Sequence, residues 1–270
     1  METLVRDPYA VHARRILKLR PLDDVDEEPS AGERGTMIHD ALHDFLAPGG
    51  ALPADALERL LGIGRGHFAP LMDRPVVRAV WWPRFERLAR WFVDWERARR
   101  ATGTRTLAVE CRGELRLPSG FLLTAEADRI DARPDGTLGI VDYKTGTVPS
   151  YRQVEVGFSP QLPLEAAIAL AGGFPGVAAL PPGELLHVRL TGGATPGEVK
   201  PVRAWRGPGK SPEELARDAL AGLAKLVDAY ADPRRPYLAR PRVRWKSAHA
   251  EYDHLARVAE WSALEREGDA

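Results

Sequence analysis

The stretch ADRIDARPDGTLGIVDYKTG, residues 127–146, contains two apolar-rich runs separated by a Pro-Asp-Gly turn at residues 134–136. In such a turn proline presets φ, aspartate tolerates the tight backbone, and glycine supplies the left-handed residue that closes a three-residue hairpin loop. Each flanking run is rich in residues that favour strands. The stretch therefore predicts a β-hairpin, with strands at about 121–133 and 137–144, as the centre of an α/β fold.

The three-residue loop determines which residues of the hairpin oppose each other. If Arg133 faces Thr137, Asp128 lies directly opposite Asp142, and opposed residues of an antiparallel pair share one face of the sheet. Lys144 points to the same face because side chains alternate along a strand. This register predicts two carboxylates and one ammonium group side by side.

A two-residue loop at Asp135-Gly136 is the alternative. It would shift the pairing by one residue, so that Asp128 opposes Tyr143 and the two aspartates lie on opposite faces. Pro134 favours the longer loop, because it presets the first residue of a three-residue turn. The position of the carboxylates thus depends on the turn.

The charges of Asp128, Asp142 and Lys144 have two interpretations. Two carboxylates and an ammonium group are costly to bury without partners, and a bound divalent cation would neutralise the excess negative charge. The alternative is an ion pair between aspartate and lysine on a half-solvated strand, because charged residues usually face solvent. Further motifs in the chain favour the cation.

Upstream of the hairpin, Ser30 and Glu33 predict a capping box that opens a helix with an apolar stripe at Ile38, Ala41, Leu42, Phe45 and Leu46. His39 lies beside this stripe, one turn after Gly35. Because glycine has no side chain, a strand or a metal ion can approach the helix on that side.

The remaining pattern predicts helices between residues 53 and 101, including 54–62 and 81–100, a strand at about 107–117, a helix at 159–170, a strand at 184–191 and a C-terminal helix near 249–266. Aromatic residues at helical spacing in the first of these segments are expected in the core. The order helix, three strands, helix, strand is typical of a mixed α/β sheet protein.

Four motifs occur in one order: Gly35-Thr36-Met37-Ile38-His39, Asp128-Arg129-Ile130-Asp131, Asp142-Tyr143-Lys144-Thr145-Gly146 and Pro160-Gln161-Leu162-Pro163-Leu164. Together they resemble the PD-(D/E)xK nucleases, specifically the RecB-like nuclease domain at the C-terminal end of AddB, a subunit of bacterial helicase–nucleases. The resemblance implies an α/β restriction-endonuclease-like core, a mixed sheet flanked by helices, in a single domain spanning residues 1–270. The core would occupy about 30–47 and 105–191, with a helical insertion at about 53–101 and a C-terminal basic segment and helix at about 211–266.

The resemblance also implies a metal site. In the family a histidine, two aspartates and one backbone carbonyl hold the catalytic cation, usually Mg²⁺ or Mn²⁺. The matching groups here are His39, Asp128, Asp142 and the backbone carbonyl of Tyr143. Hard oxygen ligands with retained waters suit magnesium and leave positions for a phosphate oxygen and an attacking water.

The implied catalytic residues are Asp128, Asp142, Lys144 and Gln161. Lys144 would orient or help deprotonate the attacking water and offset charge in the transition state. Gln161 matches a glutamine expected near the scissile strand. The family places a tyrosine four residues after this glutamine, whereas the present chain has Glu165.

Three neighbouring polar residues are left out of the predicted metal site. Asp131 should point to the opposite face of the sheet, and Glu126, which the register sets against Lys144, is expected to be the partner of that lysine. His43 is interpreted as an ordinary helical histidine. A zinc hydrolase built on His39 and His43 is a weaker alternative, because no clear third zinc ligand follows.

Composition limits the class of protein. The single cysteine, Cys111, excludes a disulfide framework or a four-cysteine cluster within this chain, so no iron–sulfur cluster is expected. No apolar run reaches about 18 residues, and the N-terminal residues do not resemble a signal peptide. A cytoplasmic protein without membrane contact is therefore expected.

The 38 basic and 38 acidic residues cancel, so any nucleic-acid surface must come from their local distribution. One segment combines cations for phosphates with aromatic residues for stacked bases, as a single-strand channel requires. Its predicted DNA-binding residues are Arg234, Arg235, Arg240, Arg242, Arg244, Trp245 and Lys246. A solvated tail or a docking strip for an acidic partner is the alternative.

The sequence thus predicts a Mg²⁺-dependent nuclease that hydrolyses single-stranded DNA. By resemblance it would serve an AddAB-type helicase–nuclease in double-strand-break repair and recombination, with an AddA-like helicase–nuclease subunit as partner. No Gly-x-x-x-x-Gly-Lys-Ser/Thr phosphate loop occurs, so ATP use would belong elsewhere. The alternatives are a standalone RecB-like exonuclease and a catalytically silent DNA-binding or scaffold domain.

Overall fold

A computed structural model describes residues 1–20, 28–46, 51–204, 207, 209–239 and 251–258. These residues contain one five-stranded sheet in the order β1-β2-β3-β4-β5. The strands are β1 Arg105–Arg116, β2 Leu122–Ala132, β3 Leu138–Lys144, β4 Pro182–Leu190 and β5 Gly197–Pro201. Strands β3 and β4 are parallel and the other neighbours are antiparallel, so the predicted mixed sheet is confirmed.

The helices lie on both sides of this sheet. They are α1 Glu2–Arg6, α2 Pro8–Val11, α3 Ala31–Phe45, α4 Ala56–Phe68, α5 Trp82–Ala101, α6 Tyr151–Glu155, α7 Gln161–Leu170 and α8 Pro212–Ala231. Short π-helical turns occur at His12–Ile16 and Val77–Trp81, and a 3₁₀ turn at Ala69–Leu71. No helix in the described ranges is long and apolar enough to cross a membrane.

The hairpin has the register that the three-residue loop predicts. The Arg133 amide donates to the Thr137 carbonyl at 2.9 Å, and Arg129 pairs with Val141. Gly136 has a φ of +80°, the left-handed conformation expected of the residue that closes the loop. The shorter two-residue loop is therefore excluded.

Two apolar cores sandwich the sheet. One contains Leu138, Ile140 and Leu185 with residues of α7 and α8. The other contains Val141, Tyr143, Leu186 and Val188 with residues of α3, α4 and α5. The aromatic residues of α5 confirm the expected core role: Phe85 and Phe92 are fully buried, while Trp91 and Trp95 pack against them with partial exposure.

A buried ion network joins α5 to the second face of the sheet. Arg129 contacts Glu96 and Asp131 at 2.6 Å each, and its Nη1 lies 3.4 Å from the Tyr143 hydroxyl. Arg99 donates to Asp131 at 2.7 Å. Asp131 therefore faces away from the predicted metal site, as the register required.

The sequence pattern missed some elements and misplaced others. Strand β5 and the short helix α6 were not predicted, and α4 extends to Phe68 rather than ending near Gly62. Of the helix predicted near residues 249–266, only 251–258 are described, and these form mainly turns. Short edge elements such as β5 lack the periodicity on which sequence patterns depend.

Candidate active site

The candidate site begins where β2 and β3 separate. Backbone pairing between these strands ends at Arg129 and Val141. One residue further along, the Tyr143 amide bonds to a side chain instead of to the backbone of β2: it donates a hydrogen bond of 2.7 Å to Oδ2 of Asp128. We call this point, where β2 and β3 separate beyond Arg129 and Val141, the fork. It holds the Asp128 carboxylate against the backbone of the residue that follows Asp142.

Three side chains surround the second carboxylate. Asp142 is 1% exposed, and its Oδ1 accepts hydrogen bonds of 2.7 Å from both Lys144 Nζ and Gln161 Nε2. Its Oδ2 lies 2.9 Å from Nδ1 of His187, which is also buried. Lys144 additionally donates to Gln161 Oε1 at 3.0 Å. The structure thus brings together Asp142, Lys144 and Gln161, all predicted from the sequence.

Helix α3 places His39 beside this fork. The predicted capping box is present: the Glu33 amide donates to Ser30 Oγ at 3.1 Å, and the Ser30 amide donates to the Glu33 carboxylate at 2.7 Å. Nδ1 of His39 lies 3.7 Å from Oδ2 of Asp128, and its ring meets the Tyr143 ring edge-on. The four groups predicted to hold a cation are therefore neighbours.

Gly35 permits the close approach of α3 to the sheet. A Cβ at this position would lie 3.0 Å from Oγ1 of Thr145, which follows the last residue of β3. Such a contact is tighter than ordinary van der Waals packing. The glycine one turn before His39 therefore has the role expected from the sequence, which is to let a strand end lie against the helix.

The electrostatics of the fork favour a cation. Burial raises the pKa of Asp128 to about 6, and the negative charge of Asp142 adds to the rise, while His39 and the Tyr143 amide oppose it. Two carboxylates that destabilise each other's charged form in a buried site are stabilised by a dication. Asp128 and Asp142 with His39 and the Tyr143 carbonyl are a donor set that suits Mg²⁺ or Mn²⁺.

The described side chains do not form a complete metal cage by themselves. Within the described ranges, no group of three or more His, Cys, Asp or Glu side chains is arranged to hold a metal ion. A hard cation such as Mg²⁺ retains several waters and binds through one or two carboxylates, so a partial donor set fits this ion better than zinc. The donor types therefore fit the cation that the resemblance implies.

Two buried residues of the site were not assigned from the sequence. His187 interrupts the apolar run Leu185-Leu186-His187-Val188 on β4, and this lone polar residue in a buried strand was the available signal. Glu165 on α7 is 1% exposed, and its Oε2 has no hydrogen-bond partner among the described residues. Burial, with the charges of Asp142 and Asp128, raises the pKa of Glu165 to about 8.

One predicted contact is wrong. Glu126 was expected to be the partner of Lys144, but the contacts of Lys144 are with Asp142 and Gln161. The reason is the fork: the strands separate after Arg129 and Val141, so the register no longer places residue 126 opposite residue 144. Glu126 instead pairs across β1 with Arg112.

The comparison with known proteins identifies the family of this chain. Residues 1–251 match the family model described as the PD-(D/E)XK nuclease superfamily. The chain belongs to this superfamily. The match covers His39, Asp128, Asp142 and Lys144, the groups that lie around the fork.

The chain is also similar to proteins of Rickettsia that carry the name uncharacterized protein. The chain is 32% identical over 178 residues to a protein of Rickettsia bellii (strain RML369-C), and 30% identical over 182 residues to proteins of Rickettsia conorii and Rickettsia felis. Each alignment covers 64% of this chain but only 21–22% of the relative. The chain thus spans less than a quarter of the length of these relatives.

The predicted DNA-binding segment lies mostly outside the described residues. Arg240, Arg242, Arg244, Trp245 and Lys246 are not among them, and their role stays a prediction. Arg234 forms two hydrogen bonds of 3.0 Å with the carboxylate of Asp232, and the guanidinium of Arg235 lies 4.9 Å from the ring centre of Tyr230. In this member of the superfamily the charge of Arg234 is therefore locally paired.

At the margin of the site, His43 contacts the first strand. Its Nδ1 lies 3.6 Å from Oε2 of Glu110. The pairs Val109 with Arg129 and Cys111 with Ala127 place Glu110 opposite Asp128 in the register of β1 and β2. His43 thus has an acidic neighbour, and no zinc site forms with His39 in the described ranges.

Proposed function

We propose that this PD-(D/E)XK domain is a Mg²⁺- or Mn²⁺-dependent deoxyribonuclease that hydrolyses phosphodiester bonds of single-stranded DNA. The observation that carries the proposal is the fork between β2 and β3. There the Tyr143 amide holds Asp128, while Lys144 and Gln161 both donate to Asp142 at 2.7 Å. Carboxylates for a cation and a lysine for the nucleophile are the groups that metal-assisted hydrolysis requires.

The residues of the site would have two roles, which are to hold the cation and to orient the attacking water. A cation held by His39, Asp128, Asp142 and the Tyr143 carbonyl would supply Lewis acidity at a phosphate oxygen. Lys144 has 29% side-chain exposure, so its ammonium group can reach a solvent water while it stays bonded to Asp142. It orients that water for attack on phosphorus and offsets the charge that develops there.

In the hydrolysis, the water oxygen forms a bond to phosphorus and the bond from phosphorus to the leaving oxygen breaks. The water loses a proton, and the leaving oxygen gains one. Gln161 fixes the position of Lys144, because its Oε1 accepts from that ammonium group at 3.0 Å while its Nε2 donates to Asp142. The Gln161 amide thus keeps the Lys144 ammonium group and the Asp142 carboxylate in fixed positions relative to each other.

The biological setting is part of the same proposal. A domain that spans about a fifth of its relatives suits a nuclease module within a longer protein. The motif resemblance to AddB suggests service in an AddAB-type helicase–nuclease for double-strand-break repair, with an AddA-like subunit as partner. A standalone RecB-like exonuclease remains the alternative setting for the same chemistry.

The test is cleavage of an end-labelled single-stranded oligonucleotide by the purified chain with Mg²⁺, with Mn²⁺ and with chelator. Cutting that needs the cation and disappears in Asp142→Asn supports the proposal. Asp94→Asn is the matched control, because Asp94 lies on the exposed surface of α5. Cation binding measured by calorimetry without any cutting would instead support a silent scaffold domain.

A further inference from the structure

A groove adjoins the candidate active site along the start of β2. It has a volume of about 560 Å³, and its walls include Phe121, Leu122, Leu164 and Gln161. Gln161 is the residue that donates to Asp142 at 2.7 Å, so one side chain belongs to both the groove and the catalytic group. The Gln161 end of the groove is therefore next to the proposed cation ligands.

The groove follows an edge of β2 that β3 does not cover. Strand β2 begins at Leu122, but its pairing with β3 extends only from Arg129 to Ala132. The first half of β2 pairs with β1 on one side, and within the described residues no strand pairs with its other side. A chain lying along this edge would run directly from Phe121 to Asp128 at the fork.

The lining of the groove is mainly apolar and partly exposed. Phe121 is 42% exposed and Leu122 is 38% exposed, so two adjacent large apolar side chains present accessible surface to the groove. Among the charged side chains of the lining, Arg15 is positive and Glu2 is negative. The groove is thus apolar with nearly balanced charge.

This chemistry selects the kind of nucleic acid that can enter. A duplex presents its phosphates outward and keeps the faces of its bases stacked inside, so it gains little from an apolar wall. A single strand exposes base faces, and these stack on aromatic side chains regardless of sequence. An apolar groove that ends at a phosphodiester-cleaving site therefore matches a single strand.

We propose that the groove along β2 binds unpaired bases of single-stranded DNA on one side of the scissile phosphate, with a base several nucleotides away from that phosphate stacked on Phe121. The proposal rests on the proposed function and adds the subsite and its selectivity. Arg15, which also lines the groove, would contact a phosphate of the bound strand. Because seven strand residues separate Phe121 from Asp128, roughly 23 Å at about 3.3 Å per residue, the phosphate that reaches Asp128 and Asp142 lies several nucleotides further along the strand.

The test compares binding of two oligonucleotides in the presence of chelator, so that no cleavage occurs. A 20-nucleotide oligothymidine carries bases, and an abasic 20-mer carries the same phosphates without them. Stacking of one base contributes about 1–3 kcal/mol, so Phe121→Ala should weaken oligothymidine binding by about 5- to 150-fold. Binding of the abasic strand should not change.

Two further variants serve as controls. Phe121→Leu keeps apolar bulk without an aromatic face and should lose nearly as much oligothymidine affinity as Phe121→Ala. Val80 has a similar exposure, 40%, but does not line the groove. Val80→Ala should therefore bind oligothymidine as tightly as the unaltered chain. A blunt 20-base-pair duplex should bind no better to the unaltered chain than to Phe121→Ala.

The outcomes distinguish failure of the groove proposal from failure of the nuclease proposal. If Phe121→Ala binds oligothymidine as tightly as the unaltered chain, or if the unaltered chain shows no preference for oligothymidine over the abasic strand, the groove proposal fails. Cation-dependent cleavage would then still support the proposed function. If Phe121→Ala loses affinity as expected but no oligonucleotide is cleaved, the groove proposal holds and the nuclease proposal fails.

Discussion

The Nδ1 atom of His187 lies 2.9 Å from Oδ2 of Asp142, and both side chains are buried. The contact follows from the parallel pairing of β3 and β4, which sets residue 142 beside residue 187. Because a carboxylate only accepts hydrogen bonds, the imidazole must donate its proton from Nδ1. His187 therefore holds one oxygen of Asp142 while Lys144 and Gln161 hold the other.

We expect His187→Ala to weaken Mn²⁺ binding by about 10- to 100-fold, because groups that orient a metal ligand usually contribute this much. His187→Asn should recover much of the loss, since its amide nitrogen can donate from nearly the same place as Nδ1. In the matched variant His187→Gln the amide lies one methylene further from the backbone, so Mn²⁺ affinity should not be recovered. Calorimetric Mn²⁺ titration measures the effect without cleavage, and equal affinities in all four proteins would contradict it.

Asp142→Asn and Lys144→Ala should each lower the rate of single-strand cleavage by about 100-fold or more, because the first removes a charged ligand of the proposed cation and the second removes the ammonium group that offsets charge at the phosphate. Far-ultraviolet circular dichroism should remain that of the unaltered chain. Asp94→Asn, at an exposed position of α5, should cleave normally. Full cleavage by either active-site variant would remove that residue from the proposed chemistry.

The pH dependence of stability should depend on Glu165. The ordinary pKa of a glutamate is 4.5, and burial with the nearby carboxylates raises the pKa of Glu165 to about 8. The folded protein therefore binds a proton that the unfolded chain has lost, and stability falls as pH rises through this window. Urea unfolding in chelator should show lower stability at pH 8.5 than at pH 6.5.

Glu165→Gln should reduce that loss, because its amide does not titrate. Asp142, Asp128 and Lys144 are the charged groups that act on Glu165, and all three remain in the variant. Asp128, whose pKa is about 6, contributes in the same direction mainly below pH 7. An unchanged difference between pH 6.5 and pH 8.5 in Glu165→Gln would show that another group is responsible.

Arg129→Ala should destabilise the fold by about 3 kcal/mol, because Glu96 and Asp131 lose their shared buried cation and keep only Arg100 and Arg99 as partners. Arg97→Ala breaks an exposed ion pair with Asp94 and should cost about 1 kcal/mol or less. Urea unfolding of the two variants measures the contrast. Similar losses would mean that the buried network does not link α5 to the sheet in the way described.

Local sequence determined the hairpin and the start of α3. The Pro-Asp-Gly turn sets the register through its own backbone preferences, and the capping box of Ser30 and Glu33 involves residues three apart. Both depend on interactions between residues close in the chain, which composition and spacing reveal. For the same reason the amino-acid sequence alone is enough to place Asp128, Asp142 and Lys144 together.

Tertiary structure alone decided which residues surround those carboxylates. His187 reaches Asp142 only because β4 adds in parallel beside β3, 45 residues later in the chain. Glu126 loses its expected partner because the strands separate at the fork, and Glu165 becomes buried because α7 packs on the sheet. Contacts at such separations follow from the packing of whole elements, and no turn or helix period encodes them.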